Sequence, residues 1–517
     1  MNGDGTLAII DFGSQVTQLI ARRVRELMVF SRIVPCSGAM AFLQASRPSG
    51  IILSGGPASV TEENAPTIDG KIFGLGIPIL GICYGQQIMS KLLGGEVGAA
   101  AEREYGFMKV RIERAEGIFD GFAPGSETVV WMSHGDRVER LPDGWTVLGR
   151  SVNSPFAATG NGRLGMYGVQ FHPEVHHTTE GDRMIGNFLF KVCGLRPSWT
   201  PRSFIEESTA DIVRRVGGGR VISGLSGGVD SSVASVLVHR AVGDRITCIF
   251  VDNGLLRKNE AREVEAIFGR TFKMPLVVVD AQDRFLGALR GIVDPEEKRK
   301  IIGNLFIQIF EEEAHRIGGA DHLVQGTLYP DVIESVSARG GPSAIIKSHH
   351  NVGGLPEKMN LRLIEPLREL FKDEVRKVGQ ELGIPDTIIR RQPFPGPGLA
   401  VRIIGEVTRE RVQLLQEADA IIEAEIKQAG YHEVLWQSFG ILVPAVRTVG
   451  VMGDSRTYQH LLAIRAVTSR DAMTADWARL PHEVLSVIST RIINEVKGIN
   501  RVVYDISTKP PATIEWE

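Results

Sequence analysis

Residues Val221–Ser232 read V-I-S-G-L-S-G-G-V-D-S-S, and the reading of this stretch decides the fold. Val221–Leu225 is a short apolar run that predicts a strand, and Ser231–Ala241, after the glycine pair, predicts a helix. The rhythm continues downstream with a strand over Ile246–Asp252, a helix over Glu260–Phe268 and a strand over Leu276–Asp280. Strand–helix–strand at this spacing means a doubly wound parallel sheet, with ligands at the carboxyl ends of its strands. At the first such end, Gly227 and Gly228 let several backbone N–H groups converge on one anion. The helix start adds its dipole, and Ser226, Ser231 and Ser232 add hydroxyls. The loop lacks the lysine of G-x-x-x-x-G-K-[ST], so it is a phosphate loop of another kind. Asp230 beside a polyphosphate has the oxygen chemistry of a Mg²⁺ ligand. An ordinary capped turn is the bland alternative, and the length of the match, Ser226 to Ser232 behind an apolar strand, weighs against it.

Upstream, a separate α/β pattern fills the first 193 or so residues. Leu7–Asp11 reads as a strand, Gln15–Leu27 as a helix, and Ile51–Leu53 and Pro78–Cys83 as strands ending in glycine-rich turns. Val129–Trp131 and Leu164–Phe171 read as strands without helices between them. Gly81–Gln87, G-I-C-Y-G-Q-Q, puts Cys83 at a sharp strand-to-helix turn flanked by Gly81 and Gly85. A nucleophile on such an elbow is exposed at the sheet edge, and the positive helix end favours an anion there. The backbone N–H of Tyr84 points into the same space as an oxyanion donor, and Gly55-Gly56-Pro57 offers a second. In Q-F-H-P-E-V, Gln170–Val175, Pro173 biases His172 to an extended conformation, so Glu174 falls on the same side and can orient the imidazole. A zinc pair of His172 and His176 needs a helix, which Pro173 breaks. A lone cysteine or histidine is more often a structural residue; the pairing of both motifs in one domain reverses those odds.

Gly194–Pro201 reads as a linker, and the proline-rich run Arg391–Gly398, R-Q-P-F-P-G-P-G, closes the second domain. A helix over Arg409–Ala429 opens a smaller α+β domain. The expected division is therefore 1–196, 202–394 and 395–517. Net charge is −3, from 58 basic and 61 acidic residues, which excludes the global basic field of a nucleic-acid binder. The four cysteines Cys36, Cys83, Cys193 and Cys248 are scattered, which suits a reducing compartment. Neither a membrane-length apolar run nor a signal-peptide pattern is present, so a cytoplasmic location without membrane contact is expected.

G-I-C-Y-G-Q-Q, S-G-G-P (Ser54–Pro57) and H-P-E resemble the class I glutamine amidotransferases. The resemblance implies a nucleophile at Cys83, a base at His172 and an orienting acid at Glu174. It places Gly56, Tyr84 and Gln87 at the oxyanion and the glutamine, and ammonia would leave from a glutamyl thioester. S-G-G-V-D-S-S resembles the N-type ATP pyrophosphatases. Ser226, Gly227, Gly228, Val229, Asp230, Ser231 and Ser232 would then hold the β,γ-phosphates, with Mg²⁺ at Asp230 and Val251 against adenine. No tightly bound organic cofactor is implied.

Three further stretches are specific: Gln325–Ser335, Ile346–Pro356 and Arg501–Glu517. With both sites they resemble the GMP synthetase family over essentially the whole chain. That resemblance implies glutamine, ATP and xanthosine monophosphate (XMP) as substrates. It puts Arg299, Gln437, Arg501, Lys509, Ile514 and Glu515 at XMP, Lys347 in a lid over the reacting phosphate, and a homodimer through the C-terminal domain. Among rivals, an NAD or asparagine synthetase type is disfavoured by K-P-P-A-T-I-E-W-E near the end of the sequence. A tRNA thiolase would need paired cysteines and a basic face. A nucleotide sensor on a decayed scaffold conflicts with the intact Cys83, His172, Glu174 and Asp230.

Overall fold

The structure is a computed structural model that describes residues 5–14, 16–332, 361–452, 455–469 and 474–517. It divides into two compact units between Phe204 and Ile205.

The first unit begins with β1 (Thr6–Asp11), α1 (Thr17–Glu26), β2 (Phe30–Pro35), α2 (Ala39–Ser46), β3 (Gly50–Leu53), β4 (Ile79–Ile82) and α3 (Tyr84–Leu92). It continues with β5 (Glu96–Ile112), β6 (Glu127–Arg140), β7 (Thr146–Arg150), β8 (Ala158–Asn161), β9 (Met166–Val169) and α4 (Gly181–Asn187). The sheet order is β2-β1-β3-β4-β9-β8-β7-β5-β6. Strands β2, β1, β3, β4 and β9 pair in parallel, and the remaining pairings are antiparallel. Leu7, Ala8, Ile9 and Ile10 are completely buried, as a parallel strand covered on both faces requires. Along β6 exposed and buried residues alternate, so this strand covers the core with one face only. The apolar run at Val129–Trp131 is the middle of that longer strand.

The division falls within α5 (Pro201–Val216), which starts at Pro201, where the linker expectation ended. There follow β10 (Val221–Gly224), α6 (Val229–Val242), β11 (Ile246–Asp252), α7 (Glu260–Val264), β12 (Leu276–Asp280), β13 (His322–Val324) and β14 (Arg362–Ile364). The sheet order is β12-β11-β10-β13-β14, parallel throughout. The order reverses at β10, so the crevice at a topological switch point lies where the Ser226–Ser232 loop follows that strand. A helix over Arg409–Gln428, capped by the Thr408 hydroxyl accepting from the Arg411 N–H at 3.3 Å, leads to a further sheet. That sheet holds β15 (Gln437–Met452), β16 (Ser455–Thr468), β17 (Asp476–Trp477) and β18 (Ile499–Tyr504). Ile222 and Ile249 from the parallel sheet share one hydrophobic cluster with Leu399, Leu415, Ile422, Leu442 and Leu462. Each such buried side chain contributes about 1.5–3 kcal/mol, and here the contribution binds the two sheets into one unit.

Candidate active site

Two sites emerge, one in each unit. In the first, β4 delivers Cys83 at φ 51 and ψ −105, a left-handed backbone, immediately before α3. The glycines on either side are steric necessities. A Cβ on Gly81 would lie 2.7 Å from Gln86 N, and one on Gly85 would overlap the Leu53 carbonyl oxygen. The Cys83 N–H donates to the Val169 carbonyl at 2.7 Å, tying the elbow to β9. The same chain leaves β9 through Gln170 and Phe171 to His172, which explains why two distant motifs meet.

His172 donates its backbone N–H to Trp131 O at 3.0 Å, and its Nδ1 lies 2.8 Å from Glu174 Oε1. Glu174 is 1% exposed, and its second oxygen, Oε2, is buried without a hydrogen-bond partner. Burial disfavours the imidazolium, yet the Glu174 carboxylate and the Cys83 sulfur outweigh it and hold the His172 pKa well above the ordinary value. Gln170 Nε2 approaches Cys83 Sγ at 3.6 Å, and Ser133 O lies 3.9 Å from the same sulfur. Gly56 packs under the Tyr84 ring, where a Cβ would come within 3.0 Å of it. Tyr84 opens α3, whose first N–H groups have no partner within the helix. Gln87 is buried, and its Nε2 donates to Asp136 O at 2.8 Å and Gln170 Oε1 at 3.3 Å. A second buried pair, His134 Nε2 and Glu104 Oε2 at 3.0 Å, steadies the strand beside the thiol. The motif reading missed it, although S-H-G-D at Ser133–Asp136 carried a signal.

In the second unit, Gly227 has φ 74 and the loop folds on its own hydroxyls. Ser226 N–H donates to Ser231 Oγ at 3.2 Å, and Ser232 Oγ donates to Gly228 O at 2.7 Å. Val229 begins α6, and Asp230 stands in its first turn. Both Asp230 carboxylate oxygens accept from Lys372 Nζ at 2.6 Å, a partner sequence reading did not find. The lysine opens the helix Lys372–Glu381, where a cation is unexpected, and that was the available signal. Gly326, of the Q-G-T stretch, packs against the loop, and a Cβ there would stand 3.2 Å from Asp230 C. Val251, at the end of β11, is 8% exposed and its side chain joins the core cluster. Among the described residues there is no cluster of three or more histidine, cysteine or acidic side chains suited to a metal. The oxygens of Asp230 and of the neighbouring hydroxyls do fit a Mg²⁺ ion that keeps phosphate and water ligands.

The nucleotide contacts expected toward the C-terminus come together in part. Glu515 receives both arms of the buried Arg402 guanidinium, at 2.9 and 3.0 Å, and Gln437 Nε2 at 3.3 Å. Ile514 packs with Phe439 and Ala475, and the Lys509 backbone pairs with Ala475. Arg299 donates to Glu517 O at 2.5 Å, beside an ion pair of Glu517 with the fully buried Lys298. Arg501 is exposed on β18, outside that hydrogen-bonded group. Lys347 and the stretch Ile346–Pro356 lie outside the described residues. Arg402 was missed because its apolar run L-A-V-R-I-I advertises a core, and Lys298 because its neighbours Glu296, Glu297, Arg299 and Lys300 advertise a solvated surface.

An elbow thiol with a His–Glu pair, and a separate phosphate loop on a doubly wound sheet, define a glutamine amidotransferase joined to an ATP-consuming synthetase. Family models agree segment by segment: "Glutamine amidotransferase class-I" matches residues 8–192, "NAD synthase" 203–298 and "GMP synthase C terminal domain" 424–516. GMP synthase [glutamine-hydrolyzing] from Brucella suis is 57% identical over 513 residues, covering 99% of this chain and 98% of that protein. The protein of the same description from Brucella abortus is equally similar. A solved glutamine amidotransferase from Thermotoga maritima is 20% identical, over 38% of this chain and 88% of that one, with TM-score 0.27. The chain belongs to the glutamine-hydrolysing GMP synthases.

Proposed function

We propose that this chain converts XMP to GMP in two half-reactions, and that the residues above carry them. Cys83 attacks the amide carbon of glutamine, His172 passes a proton to the departing ammonia, and Glu174 keeps the imidazole oriented. The backbone N–H groups of Tyr84 and Gly56 face the oxyanion, and Gln87 braces the pocket wall. Water then releases glutamate from the thioester. In the second unit the C2 oxygen of XMP attacks the α-phosphorus of ATP, and pyrophosphate leaves on Ser226–Ser232 with Val251 beside the adenine. Ammonia displaces AMP at C2 and leaves GMP. When bound with ATP, Mg²⁺ supplies positive charge to the phosphates, and Asp230 is the side chain suited to hold it, with Lys372 as its present counter-ion.

Arg299, Arg501 and Lys509 supply cations for the XMP phosphate, while Gln437, Ile514 and Glu515 contact the rest of the nucleotide. Lys347 meets the reacting phosphate from its own stretch. Three modules, 1–196, 202–394 and 395–517, carry these tasks, the last also joining two copies of the chain. Exposed Val449, Val451 and Tyr458 on the β15–β16 hairpin support such a homodimer. Four free cysteines support a cytoplasmic location. Among the described residues no helix is long and apolar enough to cross a membrane.

The observation that carries the reading is the strained, glycine-flanked Cys83 beside His172–Glu174 in the same chain as the S-G-G-V-D-S-S loop. The experiment is pyrophosphate release from ATP with a panel of nucleotides. Release that depends on XMP alone is expected, and equal release with inosine or adenosine monophosphate would reject XMP as the acceptor.

A further inference from the structure

The proline-rich run that closes the parallel-sheet region contains an arginine that the proposed chemistry does not use. Arg391 is 12% exposed, and its guanidinium reaches three acceptors. Nη1 donates to Gly227 O at 3.1 Å and to Glu260 Oε1 at 2.8 Å, and Nη2 donates to Glu263 Oε2 at 2.9 Å. Glu260 is 4% exposed and also accepts from the Arg257 N–H at 3.0 Å. Arg257 in turn donates to Gln392 O at 3.1 Å and stacks 4.1 Å from the centre of the Phe394 ring. The run is thus latched to the phosphate loop through a buried carboxylate.

Peptide geometry says what the latch does. Across a trans peptide the C=O and the following N–H point in opposite directions. Arg391 holds the Gly227 carbonyl, so the Gly228 N–H is turned the other way, toward Ser226 Oγ at 3.4 Å, on the anion-binding side of the loop. Gly227, at φ 74, is the residue type for which a peptide flip costs least, so this orientation needs an external hold. A Cβ on Gly227 would stand 3.1 Å from Val264 Cγ2 and 3.4 Å from both Arg391 Nη1 and Glu260 Oε1, so a stiffer residue would need its neighbours to give way as well as a left-handed backbone.

We propose that Arg391 is a positioning residue for the ATP half-reaction, orienting the Gly227–Gly228 peptide so that its N–H faces the leaving pyrophosphate. The proposal rests on the reading of Ser226–Ser232 as the phosphate loop. The full-length chain serves for the test, with ammonium as nitrogen donor and inorganic pyrophosphate as the binding probe. Losing one charge-assisted hydrogen bond corresponds to roughly a tenfold effect. Arg391→Met should raise KM for ATP and the Kd for pyrophosphate about tenfold, while KM for XMP stays within about twofold. Arg391→Lys keeps the charge without the fork and should fall between. Glu263→Gln, altering a 54% exposed partner, should stay within about twofold of the unaltered chain.

Unchanged ATP and pyrophosphate values in Arg391→Met overturn the proposal, as does an equal loss for ATP and XMP. If that variant does not fold, Arg391→Lys decides: ATP values equal to those of Glu263→Gln overturn the proposal. Ser226→Ala separates the two ideas. If it weakens pyrophosphate binding and the Arg391 variants do not, only the latch falls; if neither does, the phosphate-loop reading falls with it.

Discussion

Replacing Cys83 by glycine rather than alanine should give the more stable protein, although both lose the nucleophile. The reason is the left-handed backbone, φ 51 and ψ −105. A non-glycine residue there costs on the order of 1–3 kcal/mol, and glycine relieves it. Both variants lose the same sulfur, so its burial cancels in the comparison. Against the relief stand glycine's extra unfolded-state entropy, about 0.5–1 kcal/mol, and the lost burial of one methyl, about 0.8 kcal/mol. With strain in the upper half of its range, about 1 kcal/mol remains in glycine's favour, or about 2–4 °C for a unit of this size. Thermal unfolding of the full chain, followed through the transition of the first unit, measures it. In the same preparations glutamine-supported GMP formation should vanish and ammonium-supported formation persist, since the synthetase site shares no residue with Cys83. A Cys83→Ala protein as stable as Cys83→Gly refutes strain in the upper half of that range, and equal loss of both activities refutes separate sites.

The raised pKa of His172 has a sign that can be checked. A histidine raised on folding adds stability that is complete below its unfolded value, about 6.5, and is lost as pH climbs through the folded value. The stability advantage of the unaltered chain over His172→Gln should therefore shrink as pH rises above about 6.5, and a constant difference contradicts it. Asp230→Asn should depress both glutamine- and ammonium-supported synthesis, most at limiting Mg²⁺; an unchanged ammonium-supported rate there would reduce Asp230 to a helix cap. Lys509→Ala and Glu515→Ala should weaken XMP binding roughly ten- to a hundredfold with far less effect on ATP, by the worth of a desolvated charged contact. Titration of XMP into the unaltered chain and the two variants checks this, and a shared dissociation constant removes the tail from the site.

Local chemistry was legible in the sequence wherever the backbone itself is the reagent. G-x-C-x-G and S-G-G-V-D-S-S demand turns that only glycine permits, so the elbow and the loop could be placed by number, and apolar runs gave the parallel strands. The H-P-E spacing likewise brings His172 and Glu174 together, though through a turn at Pro173–Glu174 rather than along the extended chain that was expected. What tertiary structure alone decided are the partners that arrive from far along the chain. Lys372 reaches Asp230, Arg391 reaches Gly227, Arg402 reaches Glu515 and His134 meets Glu104. Periodicity is blind to such pairs, since an arginine or lysine reads as surface until the fold surrounds it. The common core of the second unit is of the same kind: Ile222 and Leu462 belong to one buried cluster because Leu399, Leu415 and Ile422, from segments far apart in the chain, fill the space between their sheets and remove that apolar surface from water.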